Sequence, residues 1–275
     1  MPVGSNREPR LMPLPPWRTL PIPLLTGIFA AAFVVTSGSG MPALAASHRL
    51  VSDDLAAVGF DAQTLAEGKL DAPPTGPTYV SFVDVPQPGG DRITHSHVAG
   101  FVYTLSGVAR VTLADGSSTD LNPGAASFFI GDNVSHTHEN PTAVDNEWLF
   151  ISLRPASARA TPLPIPGAST AYATDDLADL PQGPTTERLM LVTLQPGGHD
   201  APHANGGIET LYVLQGTVRL QLTDQSITVD AGQGFSHPPA TPIQAINDGT
   251  TRSQMLAHFV TPDDQPFRTD LDHAP

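Results

Sequence analysis

Four of the ten histidines fall in two matching patterns, His95-Ser96-His97 and His136-Thr137-His138. In an extended strand, residues i and i+2 point to the same face. Each pair can therefore aim both imidazoles at one point, and two such strands side by side would converge on one ion. Neutral imidazole suits Zn, Cu, Fe and Ni. The candidate ligands are His95, His97, His136 and His138, with His138 either a fourth ligand or a support for the other three. They imply one divalent transition metal, with Fe, Cu, Zn, Mn and Ni all open. The chain has no cysteine, which removes thiolate sites, disulfides and a thiol nucleophile. Glu139 is a candidate general base, although alternation turns it away from His138. Arg110 is a candidate partner for an anionic substrate, with a surface ion pair as the alternative. No side chain is assigned a catalytic role.

The elements that must position these residues read as β-structure. The 24 glycines and 29 prolines suit short strands joined by tight turns. Asp115-Gly116 between two short runs is a hairpin signal. Two series of such runs are present, and they are copies of each other. Gln87-Pro88-Gly89-Gly90 recurs as Gln195-Pro196-Gly197-Gly198, FVYTLSGVARVTL (101–113) as TLYVLQGTVRLQL (210–222), and Asn140 as Asn247. An ordered set of matches of this kind marks an internal duplication. The expected organisation is a leader over 1–45, an arm of weak helical or loop character over 46–75, and a first barrel over 76–153. A proline-rich linker over 154–187, a second barrel over 188–260 and a loose polar tail over 261–275 follow. Copies this short bury little core on their own, so the two barrels should pack on one another. Phe101, Tyr103, Phe128, Trp148 and Phe150 read as core, with a substrate platform as the alternative.

With these residues in place, the chain resembles the cupins. Gly90, His95, His97 and Gly107 resemble the first cupin motif, G-x5-H-x-H-x3,4-E-x6-G, and Gly124, His136 and Asn140 resemble the second, G-x5-P-x-G-x2-H-x3-N, with spacings that differ by a residue. The resemblance covers roughly residues 75–260 in two copies. It implies an all-β fold of two tandem double-stranded β-helix (jelly-roll) barrels behind a signal peptide, with metal ligands at His95, His97 and His136. The sequence departs from the pattern in four places. Gly100 stands where the family has its glutamate, which argues against a germin-like manganese site of the oxalate oxidase or decarboxylase kind. IGDN (130–133) replaces the P-x-G turn. In the second copy, His203 and Glu209 keep their places, but Asn205 replaces the second histidine and Ile243 the third. An isoleucine cannot coordinate, so the second barrel is expected to be structural or to bind a ligand without metal.

Residues 1–18 carry Arg7, Arg10 and Arg18, LLTGIFAAAFVV (24–35) follows, and Ala43-Leu44-Ala45 offers a cleavage site. This predicts an exported protein, periplasmic or secreted, with an uncleaved membrane anchor as the alternative. No stable span is expected after cleavage. Loss of Arg7, Arg10, Arg18 and Glu8 would take the net charge from −14 to −16. So acidic a chain argues against nucleic acid as a partner. The expected partner is a small-molecule substrate or ligand, and a homodimer is compatible with the reading. The function expected is a metal-dependent oxidoreductase of dioxygenase-like type on a small oxygenated organic molecule. The alternative is a non-catalytic cupin that binds metal or a small molecule. A chain exported unfolded takes its metal outside the cytoplasm, where affinity order favours Cu or Zn over ferrous iron.

Overall fold

The computed structural model describes residues 55–95, 99–129, 135–161, 163, 165–178 and 180–275. The expected leader lies outside them. The chain is all-β, as the turn-rich composition requires. Strand β1 (Val58–Leu70) precedes the first barrel. The barrel consists of β2 (Thr78–Gln87), β3 (Arg92–His95), β4 (Gly100–Ser106), β5 (Ala109–Thr112), β6 (Ser118–Leu121), β7 (Ala126–Phe129), β8 (His136–Glu139) and β9 (Asn146–Pro155). A single 3-10 turn (Ala156–Ala158) and β10 (Ser169–Ala173) lead on. The second barrel has β11 (Thr185–His199), β12 (His203–Asn205), β13 (Ile208–Gln215), β14 (Thr217–Leu222), β15 (Ser226–Asp230), β16 (Gly234–His237), β17 (Ile243–Ile246) and β18 (Ser253–Pro262), then β19 (Arg268–Asp270). Among the described residues no helix is long and apolar enough to cross a membrane.

The duplication in the sequence is a duplication of topology. In barrel 1, one sheet runs β10-β2-β9-β4-β7 and the facing sheet β3-β8-β5-β6. In barrel 2 the corresponding order β11-β18-β13-β16 is joined to β12, β17, β14 and β15 through the pairing His199↔Ile246. Asn140 and Asn247 explain why the repeat keeps an asparagine. Both are fully buried. Asn140 Nδ2 donates to the carbonyls of Gln87 and Val144 at 3.0 and 2.8 Å. Asn247 Nδ2 donates to those of Leu194, Gln195 and Thr251 at 3.0, 3.1 and 2.8 Å. Each side chain ties a Gln-Pro-Gly-Gly turn to the loop that leads into the last strand of its barrel, so buried backbone carbonyls keep partners.

The arm departs from expectation. Rich in alanine and acidic residues, it has little strand propensity, yet residues 58–70 form a strand antiparallel to β11. Pairing with a free sheet edge overrides local preference here. The linker does the reverse, since β10 pairs with β2 of the first barrel. The strand before barrel 1 thus completes barrel 2, and the strand between the barrels completes barrel 1. The tail is also ordered, with β19 pairing β12 from His203↔Asp270 to Asn205↔Arg268.

Three apolar clusters follow. One fills barrel 1 around Val83, Val102, Val111 and Trp148; one fills barrel 2 around Leu211, Leu220 and Met255. The third lies between the barrels, where Phe82, Phe101 and Ile151 meet Leu189, Leu256 and Val260. Both faces of β9 and β18 are therefore buried, which blurs the alternation along them. Burying each large apolar side chain at this contact stabilises it by about 1.5–3 kcal/mol. Gly68 of β1 belongs to the same contact: a Cβ there would lie 1.7 Å from Phe128 Cδ1, so only glycine lets the arm lie against that ring.

Candidate metal centre

Strands β3 and β8 are paired so that His95 lies directly opposite His136, and Ile93 opposite His138. His136 and His138 are both inward because they are two apart on β8, and they are 3% and 1% exposed. One coordinating nitrogen from each of His95, His136 and His138 lies within 4.8 Å of the others. His136 Nε2 and His138 Nε2 are 3.1 Å apart. Nitrogens bound to one ion at roughly 2.0–2.1 Å are separated by about 2.8–3.4 Å along an octahedral or tetrahedral edge. The spacing therefore fits a shared ion, and an all-imidazole set fits Zn, Cu, Fe or Ni by its donor chemistry. Burial, helped by the neighbouring His136, lowers His95 to about 4. It is neutral at physiological pH, the form in which imidazole coordinates. His97 lies outside the described residues.

The walls hold these rings in place. The Trp148 indole stacks on His138 at 4.5 Å and 13°, and Phe129 stacks on His136 at 6.0 Å and 10°. Trp148 Nε1 donates to Gln87 Oε1 at 3.3 Å, and Gln87 Nε2 donates to the His138 carbonyl at 3.1 Å. Gln87 thus links the stacking ring to the strand that carries the histidine. Sequence reasoning placed Trp148 in the core without seeing this role. The repeat held the signal: Trp148 and Met255 occupy equivalent places, opposite Thr104 and Val213. The aromatic ring is present in the copy that has His138 and absent in the copy that has Ala245.

Other candidates are sorted by exposure. Arg110 Nε and Nη2 donate to Asp120 at 2.6 and 2.9 Å on the outer surface, so the surface ion pair is the one present. Glu139 faces outward with the histidines inward and lies 3.7 Å from Arg92 Nε. Gly100 is the residue the fold requires, since a Cβ there would sit 2.6 Å from the Ile151 carbonyl oxygen and 2.9 Å from Ser152 Cβ. No carboxylate ligand fits on that backbone. Phe101, Trp148 and Phe150 are at most 2% exposed and serve as core.

Barrel 2 carries different chemistry at the same places. His203 is opposite Ile243, as His95 is opposite His136. Glu209 Oε2 accepts from Asn205 Nδ2 at 2.5 Å and pairs with His237 Nε2 at 2.9 Å. Burial alone would raise the Glu209 carboxyl, but the His237 bond and charge outweigh it and hold it low. Burial likewise disfavours charge on His237, and Glu209 outweighs it and raises that histidine. They form an internal ion pair. His199 is turned away, its Nδ1 within 3.0 Å of the Asp200 carbonyl. Among the described residues, the barrel 1 triad is the set of three that gathers within metal-binding reach.

Two facing jelly-roll sheets per unit, duplicated in tandem, with histidines inside the first, make a two-barrel fold similar to that of the cupins. Residues 190–259 match the model of the cupin domain. Similar solved structures include the oxalate decarboxylase of Lactobacillus farciminis in a formate complex, at TM-score 0.52 and 17% identity, covering 70% of this chain and 79% of that one. A variant oxalate decarboxylase of Bacillus subtilis matches at TM-score 0.50 and 18% identity, covering 74% and 79%. At such identities the likeness is one of fold. No curated protein matches the sequence.

Proposed function

We propose that this chain is an exported metal-dependent oxidoreductase of dioxygenase-like type, acting on a small oxygenated organic molecule in barrel 1. The observation that carries the proposal is the convergence of His95, His136 and His138, three mostly buried imidazole donors on two paired strands. In this reading His97 joins them, and the leader over 1–45 directs export. A bound transition metal would supply Lewis acidity and a site for dioxygen. The chain's own part is to keep His95 neutral and all three imidazoles fixed. Trp148 and Phe129 lock the rings, and the apolar wall around Val102 and Val111 limits water. The oxalate chemistry of the similar structures is not carried over, because Gly100 leaves no room for a carboxylate ligand.

Oxygen uptake tests the reading. Protein loaded separately with Fe, Cu, Zn, Mn or Ni is offered diketones, catechols and quercetin-like phenols. Metal-dependent uptake with at least one substrate class, lost in His136→Ala, is expected; no uptake with any metal would refute the oxygenase reading. A second reading, a non-catalytic binding protein, is favoured by the second barrel, whose interior holds polar groups without a histidine triad. A metal sphere closed by four protein ligands would support it, and open positions would support catalysis.

A further inference from the structure

Barrel 2 encloses a cavity of 630 Å³, within the range of sites for small organic molecules. Most of its wall is apolar, including Met190, Leu211, Leu220, Met255 and Phe259. Its rim is built from two segments distant in sequence: the arm, through Leu55, Ala56 and Phe60, and the tail, through Phe267 and Arg268. The strand exchange and the ordered tail thus shape the mouth of this cavity.

One end of the wall is polar, and it presents acceptors. Glu209 lines the cavity with its side chain 8% exposed. Both of its bonds are made through Oε2, which leaves Oε1 to the cavity. His203, with its side chain 7% exposed, makes its contacts through Nδ1, to the Ala201 carbonyl at 3.0 Å and to Asp200 Oδ2 at 3.2 Å. A carbonyl only accepts, so the proton sits on Nδ1 and Nε2 is an acceptor. Arg268, the cation at the rim, is engaged with Asp270 Oδ1 at 2.7 Å, the Ala201 carbonyl at 2.9 Å and Asp200 Oδ2 at 3.7 Å. Its charge is matched by carboxylates, and the Glu209 charge is matched by His237. Two inward acceptors above an apolar chamber, with internal charges balanced, call for an uncharged ligand that brings the donor.

We infer that barrel 2 is a metal-free binding site for an uncharged, largely apolar small molecule whose hydroxyl group donates its one proton to Glu209 Oε1, His203 Nε2 being a second acceptor on the cavity wall. Ala245, at the place of His138, gives the ligand the space that an imidazole occupies in barrel 1, and Ile243, at the place of His136, offers it apolar contact. The duplicated barrels then divide the work, with a metal in one and an organic molecule held directly by protein in the other. The inference does not depend on the metal in barrel 1.

The test is calorimetric titration of the purified protein, in excess chelator, with three probes of one size. 2-Naphthol has the donor, 2-methoxynaphthalene lacks it, and 2-naphthoate replaces it with an anion. One 2-naphthol per chain is expected, with both other probes weaker by about tenfold or more, the usual value of a hydrogen bond to a charged acceptor. Ala245→Phe should fill the chamber, and Ala56→Trp, at an exposed rim position that leaves the core untouched, should obstruct its mouth. Each should weaken 2-naphthol by at least tenfold. Equal affinity for the three probes, tightest binding of 2-naphthoate, no 2-naphthol binding up to about 1 mM, or full binding in folded Ala56→Trp would each overturn the inference. Because chelator is present throughout, failure here leaves the metal reading of barrel 1 standing, and failure of that reading leaves this result unchanged.

Discussion

The buried pair of Glu187 and His258 should contribute to stability only as a pair. Glu187 Oε2 and His258 Nε2 are 2.8 Å apart, both side chains are 0% exposed, and Phe101 of the first barrel abuts the imidazole at 5.6 Å. The duplication supplies the control. By strand register, Glu187 corresponds to Val80 and His258 to Ile151, so barrel 1 puts an apolar pair at the same place. Removing one member of a buried pair leaves the other desolvated and costs about 3–5 kcal/mol, whereas replacing both with packed apolar groups is often neutral or stabilising. His258→Ile and Glu187→Val alone should each lose that amount. At about 2–4 °C per kcal/mol for a body of this size, the melting temperature should fall by roughly 6–20 °C. The double variant, which copies barrel 1, should return to within about 1 kcal/mol of the parent. Urea unfolding of the four proteins gives the coupling energy directly. A single variant within about 1 kcal/mol of the parent, or a double variant no more stable than the worse single one, would refute the argument.

Further outcomes concern the two barrel interiors. Burial lifts Asp200 to about 7 against the bond from the Ala245 amide and the nearby Arg268. Its folded value is above its unfolded 3.8, so its contribution is fully present below pH 3.8 and is lost as pH rises to about 7. The loss is on the order of 4 kcal/mol. Urea unfolding of the parent and Asp200→Asn from pH 4 to 8 should show this slope in the parent alone, and parallel curves would contradict it. Gly100→Glu should not supply a further ligand. It should destabilise barrel 1 by about 1–3 kcal/mol or more with no gain in metal affinity, and a tighter metal complex would show that the backbone gives way. His203→Ala should leave metal stoichiometry unchanged, and metal analysis showing a loss equal to that of a barrel 1 variant would place a site in barrel 2.

Much of this was legible because the signals are local or repeated. The His-x-His spacing fixes a shared face on any strand, and the duplication fixes two barrels. Other features depend on neighbours distant in sequence. Nothing in VGFDAQTLAEGKL (58–70) favours a strand, and β11, more than a hundred residues later, makes it one. The tail looked loose for the same reason, since its order comes from β12. The stacking of Trp148 on His138 was hidden because a buried tryptophan reads as core whatever it touches. Gly100 looked like a missing ligand, and its close approach to Ile151 shows a steric requirement.

On the proposed function, barrel 1 holds one transition metal on His95, His136 and His138 together with His97. Elemental analysis of the purified protein beside its His136→Ala variant is the decisive test. About one metal per chain is expected in the parent and almost none in a variant that keeps the parent's β-sheet circular dichroism. If the chain takes its metal outside the cytoplasm, as proposed, that metal is Cu or Zn in place of iron. No metal in the parent, or equal metal in both, would contradict the site.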